Sequence, residues 1–215
     1  MLAFEFSEEQ PSILCLAAHC DDVEIGCGGA LLHFIERRSD LHIDIEILCS
    51  DEQRGNESQN AARELLSGAG SWNLNLQSFP DGRLPYCGLE IKEYFAALGA
   101  RYSPDLVITH YRRDLHQDHR MIGELTWQTF RNHPILEMEI PKFDGGLDPP
   151  NTYIPLSLEL VEKKLDVLST HFASQQSKTW FKADTFKGLM AIRGVECRSD
   201  SGFAEAFHGA KTIIT

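Results

Sequence analysis

The chain lacks any excess of positive charge: 20 lysines and arginines stand against 32 aspartates and glutamates, a formal net charge of −12. A phosphate-binding surface needs a basic face and none appears, which argues against nucleic acid as a partner. The same deficit disfavours an anionic membrane surface. No apolar run approaches bilayer-spanning length, so stable membrane insertion is not expected. The six cysteines, Cys15, Cys20, Cys27, Cys49, Cys87 and Cys197, contain no C-x-x-C pair. Cys15 and Cys49 sit inside apolar runs and read as buried small hydrophobes. A signal-peptide pattern is also missing: Met1 to Pro11 carry three glutamates and no basic cluster. A reducing cytoplasm is the expected compartment.

What is present is an alternation of apolar strands and amphipathic helices over 215 residues, long enough for one full core. Strands are expected near 12–18, 41–49, 73–79, 105–109 and 135–140. Helices are expected from about Ala30, after a turn over 18–29, to about Arg38, through Ala61 and Leu65, over 89–101, from 120 to about Arg131 and over 158–171. The 41–49 segment alternates polar and apolar residues, the period of a half-buried strand. Pro80-Asp81-Gly82-Arg83 has turn chemistry. Residues 141–152 read as a long loop, and the tail from Phe181 is mixed. This pattern predicts a single α/β domain over 1–215, a Rossmann-like three-layer sandwich with a mostly parallel sheet.

Two polar clusters interrupt the pattern, both just after apolar strands. The first holds His19, Asp21 and Asp22; the second runs from His110 to Arg120 and holds Asp114, His116, Asp118 and His119. Alone, His19 could be a satisfied strand-end residue, and Asp21 and Asp22 could cap a helix. In the common doubly wound order, however, strands 1 and 4 are neighbours and the chain reverses direction between them. Both clusters then open into one crevice. A catalytic metal needs three protein ligands and an open position. One imidazole and one carboxylate from the first cluster, with His116 or His119 from the second, make a two-histidine, one-aspartate set. Zinc suits it, and iron(II) uses similar donors. A carboxylate beside the ligands could take a proton from water, and a second imidazole could steady an oxyanion. Asp118 or Asp114 could hold that imidazole in one tautomer. Gly26, Gly28 and Gly29 are spaced G-x-G-G, which is not a dinucleotide fingerprint, and are expected to allow close backbone and helix packing.

The segment A-H-C-D-D-V-E-I-G-C-G-G from Ala18 resembles the signature of the LmbE-like, PIG-L family of zinc-dependent N-deacetylases. The segment T-H-Y-R-R-D-L-H-Q-D-H-R from Thr109 is similar to its second signature. Softer likenesses lie at Arg54–Ala62, Phe79–Leu84, Arg193-Gly194 and Phe203–Phe207. The resemblance implies one zinc ion per chain, held by His19, Asp22 and His119. It implies Asp21 as general base and then acid, His116 at the oxyanion with Asp118 behind it, and Arg54 and Asp81 on substrate. The implied activity is removal of an N-acetyl group from an amino sugar or glycoconjugate by metal-activated water. The implied partner is a small N-acetylated molecule, with a homo-oligomer left open. Cys20 stands where the family has proline and is expected not to bind metal, because a thiolate would fill the open position. The rival readings are an iron(II) oxygenase on the same donor set and a non-catalytic sugar-binding module.

Overall fold

A computed structural model describes residue 6 and residues 9–210. The chain begins with β1 (Ser12–His19) and α1 (Asp22–Arg37), followed by β2 (His42–Cys49), α2 (Glu52–Leu65) and β3 (Ser71–Leu76). Then come a 3₁₀ turn (Leu84–Cys87), α3 (Gly88–Arg101), β4 (Leu106–His110), α4 (Gln117–Thr129) and β5 (Ile135–Met138). The last part contains β6 (Thr152–Pro155), α5 (Leu158–His171), α6 (Ala183–Cys197) and β7 (Ala204–Ala210). The strands form one sheet in the order β3-β2-β1-β4-β5-β7-β6. The first five run parallel; β7 is antiparallel to both β5 and β6. Strands β1 and β4 are neighbours, with Ile13 opposite Leu106 and Cys15 opposite Ile108. This is the Rossmann-like sandwich expected from the sequence.

Successive side chains of β1 point to opposite faces. Ile13, Cys15 and Ala17 enter one core with residues of α1, α2, α5 and α6. Leu14, Leu16 and Ala18 enter the other with residues of α3 and α4. Both faces are covered, which is why β1 is an unbroken apolar run. For the same reason the half-buried reading of 41–49 fails. Seven of the eight residues of β2 are buried. Its polar positions are satisfied inside: Asp44 accepts from Asn73 (2.9 Å), and Glu46 accepts from Tyr94 (2.5 Å), Tyr102 (2.7 Å) and Asn75 (3.0 Å). Alternation tells polar from apolar, not wet from dry.

The C-terminal third adds what periodicity did not resolve. Strand β6 is a short edge strand that ends in Pro155, a position where a missing N–H costs no ladder bond. Helix α6 has almost no contrast between its faces, and β7 is reached only after a left-handed residue, Arg198 (φ 57°). Among the described residues, no helix is long and apolar enough to cross a membrane.

One glycine controls how the site is built. A Cβ on Gly123 of α4 would stand 2.5 Å from the carbonyl oxygen of His110 and 3.2 Å from the backbone nitrogen of Arg112. The helix therefore lies directly on the end of β4. A Cβ on Gly28 of α1, by contrast, meets nothing closer than 3.7 Å. Replacing Gly123 by alanine should cost about 1–3 kcal/mol in denaturant unfolding, because backbone cannot yield as a side chain does. Gly28→Ala should be neutral or gain up to about 1 kcal/mol, as expected for glycine inside a helix.

Candidate metal centre

The carboxyl ends of β1 and β4 deliver the two polar clusters to one place. His19 is the last residue of β1, Asp22 opens α1, His110 is the last residue of β4, and His119 lies in the first turn of α4. His19 Nδ1 is 3.3 Å from Asp22 Oδ2 and 3.2 Å from His119 Nε2, and His119 Nε2 is 3.5 Å from Asp22 Oδ1. Two donors each about 2.1 Å from a shared tetrahedral ion stand about 3.4 Å apart. The three residues therefore fit a single divalent cation.

Electrostatics agree. Burial disfavours charge on Asp22, yet His119, His110 and His19 together hold its carboxyl well below the usual range. Burial likewise opposes a charged His19, but Asp22, Asp118 and Asp81 raise its pKa well above the ordinary value. Burial and the neighbouring His110 push His119 down to about 3, so the ring stays neutral and keeps a lone pair that a cation could take. The cluster calls for one positive charge, and protons compete with metal for it.

The far side of each ring is also supplied. His119 Nδ1 is hydrogen-bonded to Asp114 Oδ2 at 3.1 Å. Asp114 is a hub: its Oδ1 accepts the His116 N–H (2.7 Å), and its Oδ2 also accepts Lys142 Nζ (2.7 Å). Burial opposes its charge, but His119 and Lys142 hold it down to about 2. Lys142 thus ties the 141–152 loop to the centre, and Tyr111 does the same through Asp148 (2.9 Å). His19 Nε2 is flanked by Asp81 Oδ1 (3.1 Å) and Asp118 Oδ2 (3.4 Å). Asp118 also accepts the N–H groups of Gly82 (2.7 Å) and Leu84 (3.1 Å), pinning the 80–84 turn.

This corrects one expectation. Among the described residues no hydrogen bond joins Asp118 or Asp114 to the ring of His116; Asp118 lies beside His19 and Asp114 holds His119. The His116 ring sits 5.1 Å from that of His19 and 4.5 Å from that of His119, centroid to centroid, and its Nδ1 has no hydrogen-bond partner among the described residues.

Asp21 does not cap α1 with its side chain. It is 4% exposed, and its Oδ1 accepts Arg54 Nη2 at 3.0 Å. Arg54 Nη1 reaches Asp81 Oδ2 at 3.3 Å, so one guanidinium links the base candidate to the turn. Burial and the adjacent Asp22 raise the Asp21 pKa, and Arg54 opposes them. All nine residues singled out from the sequence, Asp114 included, gather around the carboxyl ends of β1 and β4.

Sequence reasoning passed over two residues that matter here. His110 is fully buried and stacks on His119 at 3.9 Å; its Nε2 accepts the Ala18 N–H (2.9 Å) and lies 3.1 Å from Asp22 Oδ2. A histidine closing an apolar strand beside the second cluster was the available signal. Lys142, in a loop far along the chain, offered none. Glu24, in the first turn of α1, is buried, and its pKa rises to about 8 mainly through burial. Cys20 binds no candidate set; its thiol donates to the Cys49 carbonyl at 3.6 Å.

A model of the PIG-L family, described as GlcNAc-PI de-N-acetylase, matches residues 14–130, more than half of the chain. The protein belongs to the PIG-L family. Both polar clusters fall within the matched segment. Solved structures share the fold of this PIG-L protein across nearly its whole length. The N,N'-diacetylchitobiose deacetylase of Pyrococcus horikoshii is 19% identical, with a TM-score of 0.73 over 93% of this chain and 83% of that one. The conserved protein TT1542 of Thermus thermophilus is 20% identical, with a TM-score of 0.73 over 94% and 96%. The 4-carboxy-2-hydroxymuconate hydratase of Pseudomonas putida is 16% identical, with a TM-score of 0.75 over 95% and 98%. Likeness at these identities is a likeness of fold, and the fold serves more than one reaction.

If Asp114 orients His119 for metal, Asp114→Asn should weaken zinc binding roughly 10- to 100-fold in a chelator competition assay. Unchanged affinity would mean that Asp114 only shapes the loop.

Proposed function

We propose that this PIG-L protein is a zinc-dependent hydrolase that removes the N-acetyl group from an N-acetylated amino sugar or glycoconjugate. The observation that carries the reading is a spare buried carboxylate. Asp21 lies next to the donor cluster, belongs to none of the candidate ligand sets among the described residues, and forms an ion pair with Arg54. Family membership supports the same chemistry. An iron oxygenase would have no use for a base at that position.

His19, Asp22 and His119 hold the ion, and one ion serves each chain. When bound, zinc polarises the amide carbonyl and makes water acidic enough to attack at neutral pH. Asp21 takes the proton from the attacking water as its oxygen bonds to the carbonyl carbon. Burial and the adjacent Asp22 raise its pKa above the ordinary carboxylate value, which makes it the better proton acceptor of the two aspartates. His116 donates an N–H toward the oxygen on which negative charge collects. The carbon–nitrogen bond then breaks, and Asp21 returns the proton to the departing amine. The products are acetate and the free amine.

Arg54 and Asp81 lie at the mouth and contact sugar hydroxyls. Asp118 is a positioning residue: it fixes the turn that carries Asp81 and keeps a carboxylate beside His19. Which N-acetyl compound enters is a question for screening, with free amine and bound metal measured on the same sample. Asp21→Ala should keep its metal and lose turnover by roughly 100- to 10,000-fold. His119→Ala should lose the metal itself, read by elemental analysis. Near-normal rates in Asp21→Ala would overturn the assignment of the base.

A further inference from the structure

A cleft of about 320 Å³ opens where the chain leaves β4, and none of the residues assigned to the metal centre lines it. Its walls are Tyr111, Arg112 and Arg113, Glu137 of β5, His208 of β7 and Asn151. That volume lies at the small end of small-molecule sites, with room for a ligand of about one ring. The walls are rich in donors that nothing in the chain uses. Arg112 gives its Nε–H to Glu137 Oε1 (2.5 Å) and lays its guanidinium over the Trp127 ring, 3.9 Å from the centroid. This leaves Nη1 and Nη2 without a hydrogen-bond partner among the described residues, on a side chain that is 41% exposed. Arg113 is exposed and makes no hydrogen bond or ion pair among the described residues. The acids nearby are engaged: Glu137 Oε1 also accepts the Trp127 Nε1–H (2.7 Å), and Asp148 accepts the Tyr111 hydroxyl (2.9 Å). The His208 ring stacks on Tyr111 at 3.7 Å, and its Nε2 is buried with no partner among the described residues. Such an atom calls for a polar group that the chain does not supply.

We propose that this cleft binds a small phosphorylated molecule of about one ring, with Arg112 and Arg113 on the phosphate. A guanidinium presents its N–H groups as a planar fork that matches phosphate oxygens. The stack on Trp127 and the bond to Glu137 already hold Arg112 in place, so it loses little side-chain freedom on binding. Two successive guanidinium groups repel one another, and a bound dianion removes that repulsion. Tyr111 and His208 supply the aromatic wall for the ring. The same walls anchor the far end of the 141–152 loop. Tyr111 bonds to Asp148, and Asn151 both accepts the Gly209 N–H (2.7 Å) and donates to the Gly209 carbonyl (2.8 Å). A ligand seated here therefore bears on the segment whose Lys142 reaches Asp114 (2.7 Å). The site is separate from the metal centre and stands whether or not that centre removes acetyl groups.

The test is calorimetric titration of the full chain with glucose 6-phosphate, inorganic phosphate and glucose. Glucose 6-phosphate should bind, inorganic phosphate should bind several-fold more weakly, and glucose should give no heat. Arg113→Ala changes an exposed side chain and should weaken glucose 6-phosphate roughly 10-fold or more, with Arg113→Lys recovering part of the loss. His119→Ala, which alters the metal centre, should leave that affinity unchanged. In amide hydrogen exchange, glucose 6-phosphate should protect residues 111–113 and 148–151 and leave 116–119 as they were. No binding of either phosphate compound overturns the site, as does unchanged affinity in Arg113→Ala or protection confined to 116–119. Glucose binding as tightly as its phosphate overturns the role given to the arginines. Equal affinity for inorganic phosphate and glucose 6-phosphate overturns the place given to the ring. Binding that is lost in His119→Ala and kept in Arg113→Ala puts the anion at the metal centre and overturns the whole proposal.

Discussion

The carboxyl end of the sheet is organised by the burial of one carboxylate, that of Asp22. An ionised carboxylate taken out of water is costly unless it is paired and fully hydrogen-bonded. Asp22 receives the His19 N–H at 2.7 Å and is surrounded by the imidazoles of His19, His110 and His119. It also opens α1, where the unsatisfied N–H groups of the first turn favour negative charge. Those groups come from two strands and two helices, so the carboxylate can be accommodated only where β1 and β4 are side by side.

The packing enforces this adjacency. His110 serves as an acceptor for Ala18, joining the strand ends where their own ladder has stopped, and Gly123 lets α4 rest on the backbone of His110. Helix α4 then starts beside the crevice, with His116 at its cap and Asp118 and His119 in its first turn. The polar residues are arranged in shells. Donor atoms converge inside, carboxylates stand behind the rings, and Lys142, Arg54 and backbone N–H groups neutralise the carboxylates. Such support keeps donor atoms in place when the ion is bound, and it is what distinguishes a built centre from an acidic patch.

The family assignment and the geometry contribute different things. Membership in the PIG-L family rests on the two signatures and the matched segment. The neighbouring folds include both a deacetylase and a hydratase, so topology alone leaves the reaction open. The proposed amide hydrolysis draws on the spare Asp21 as its base and on His116, whose Nδ1 has no hydrogen-bond partner among the described residues, as its oxyanion donor.

Hydrophobic runs and punctuation were enough to locate the parallel strands: β1 and β4, covered on both faces, read as continuous apolar segments, while β2 reads as an alternating one. They were also enough to identify the two clusters, because polar side chains gathered at the carboxyl ends of buried strands mark the crevice where α/β sheets bind ligands. Local pattern could not give the antiparallel β6–β7 end, where short strands depend on pairing with distant partners. Nor could it say which carboxylate stands behind which imidazole. Asp118 and Asp114 are four residues apart on one segment, and only the approach of the 80–84 turn and of Lys142 decides which side each faces. Residue type and spacing determined what this protein's centre is made of; long-range packing alone decided how those parts face one another, because a side chain's partners are set by what folds against it.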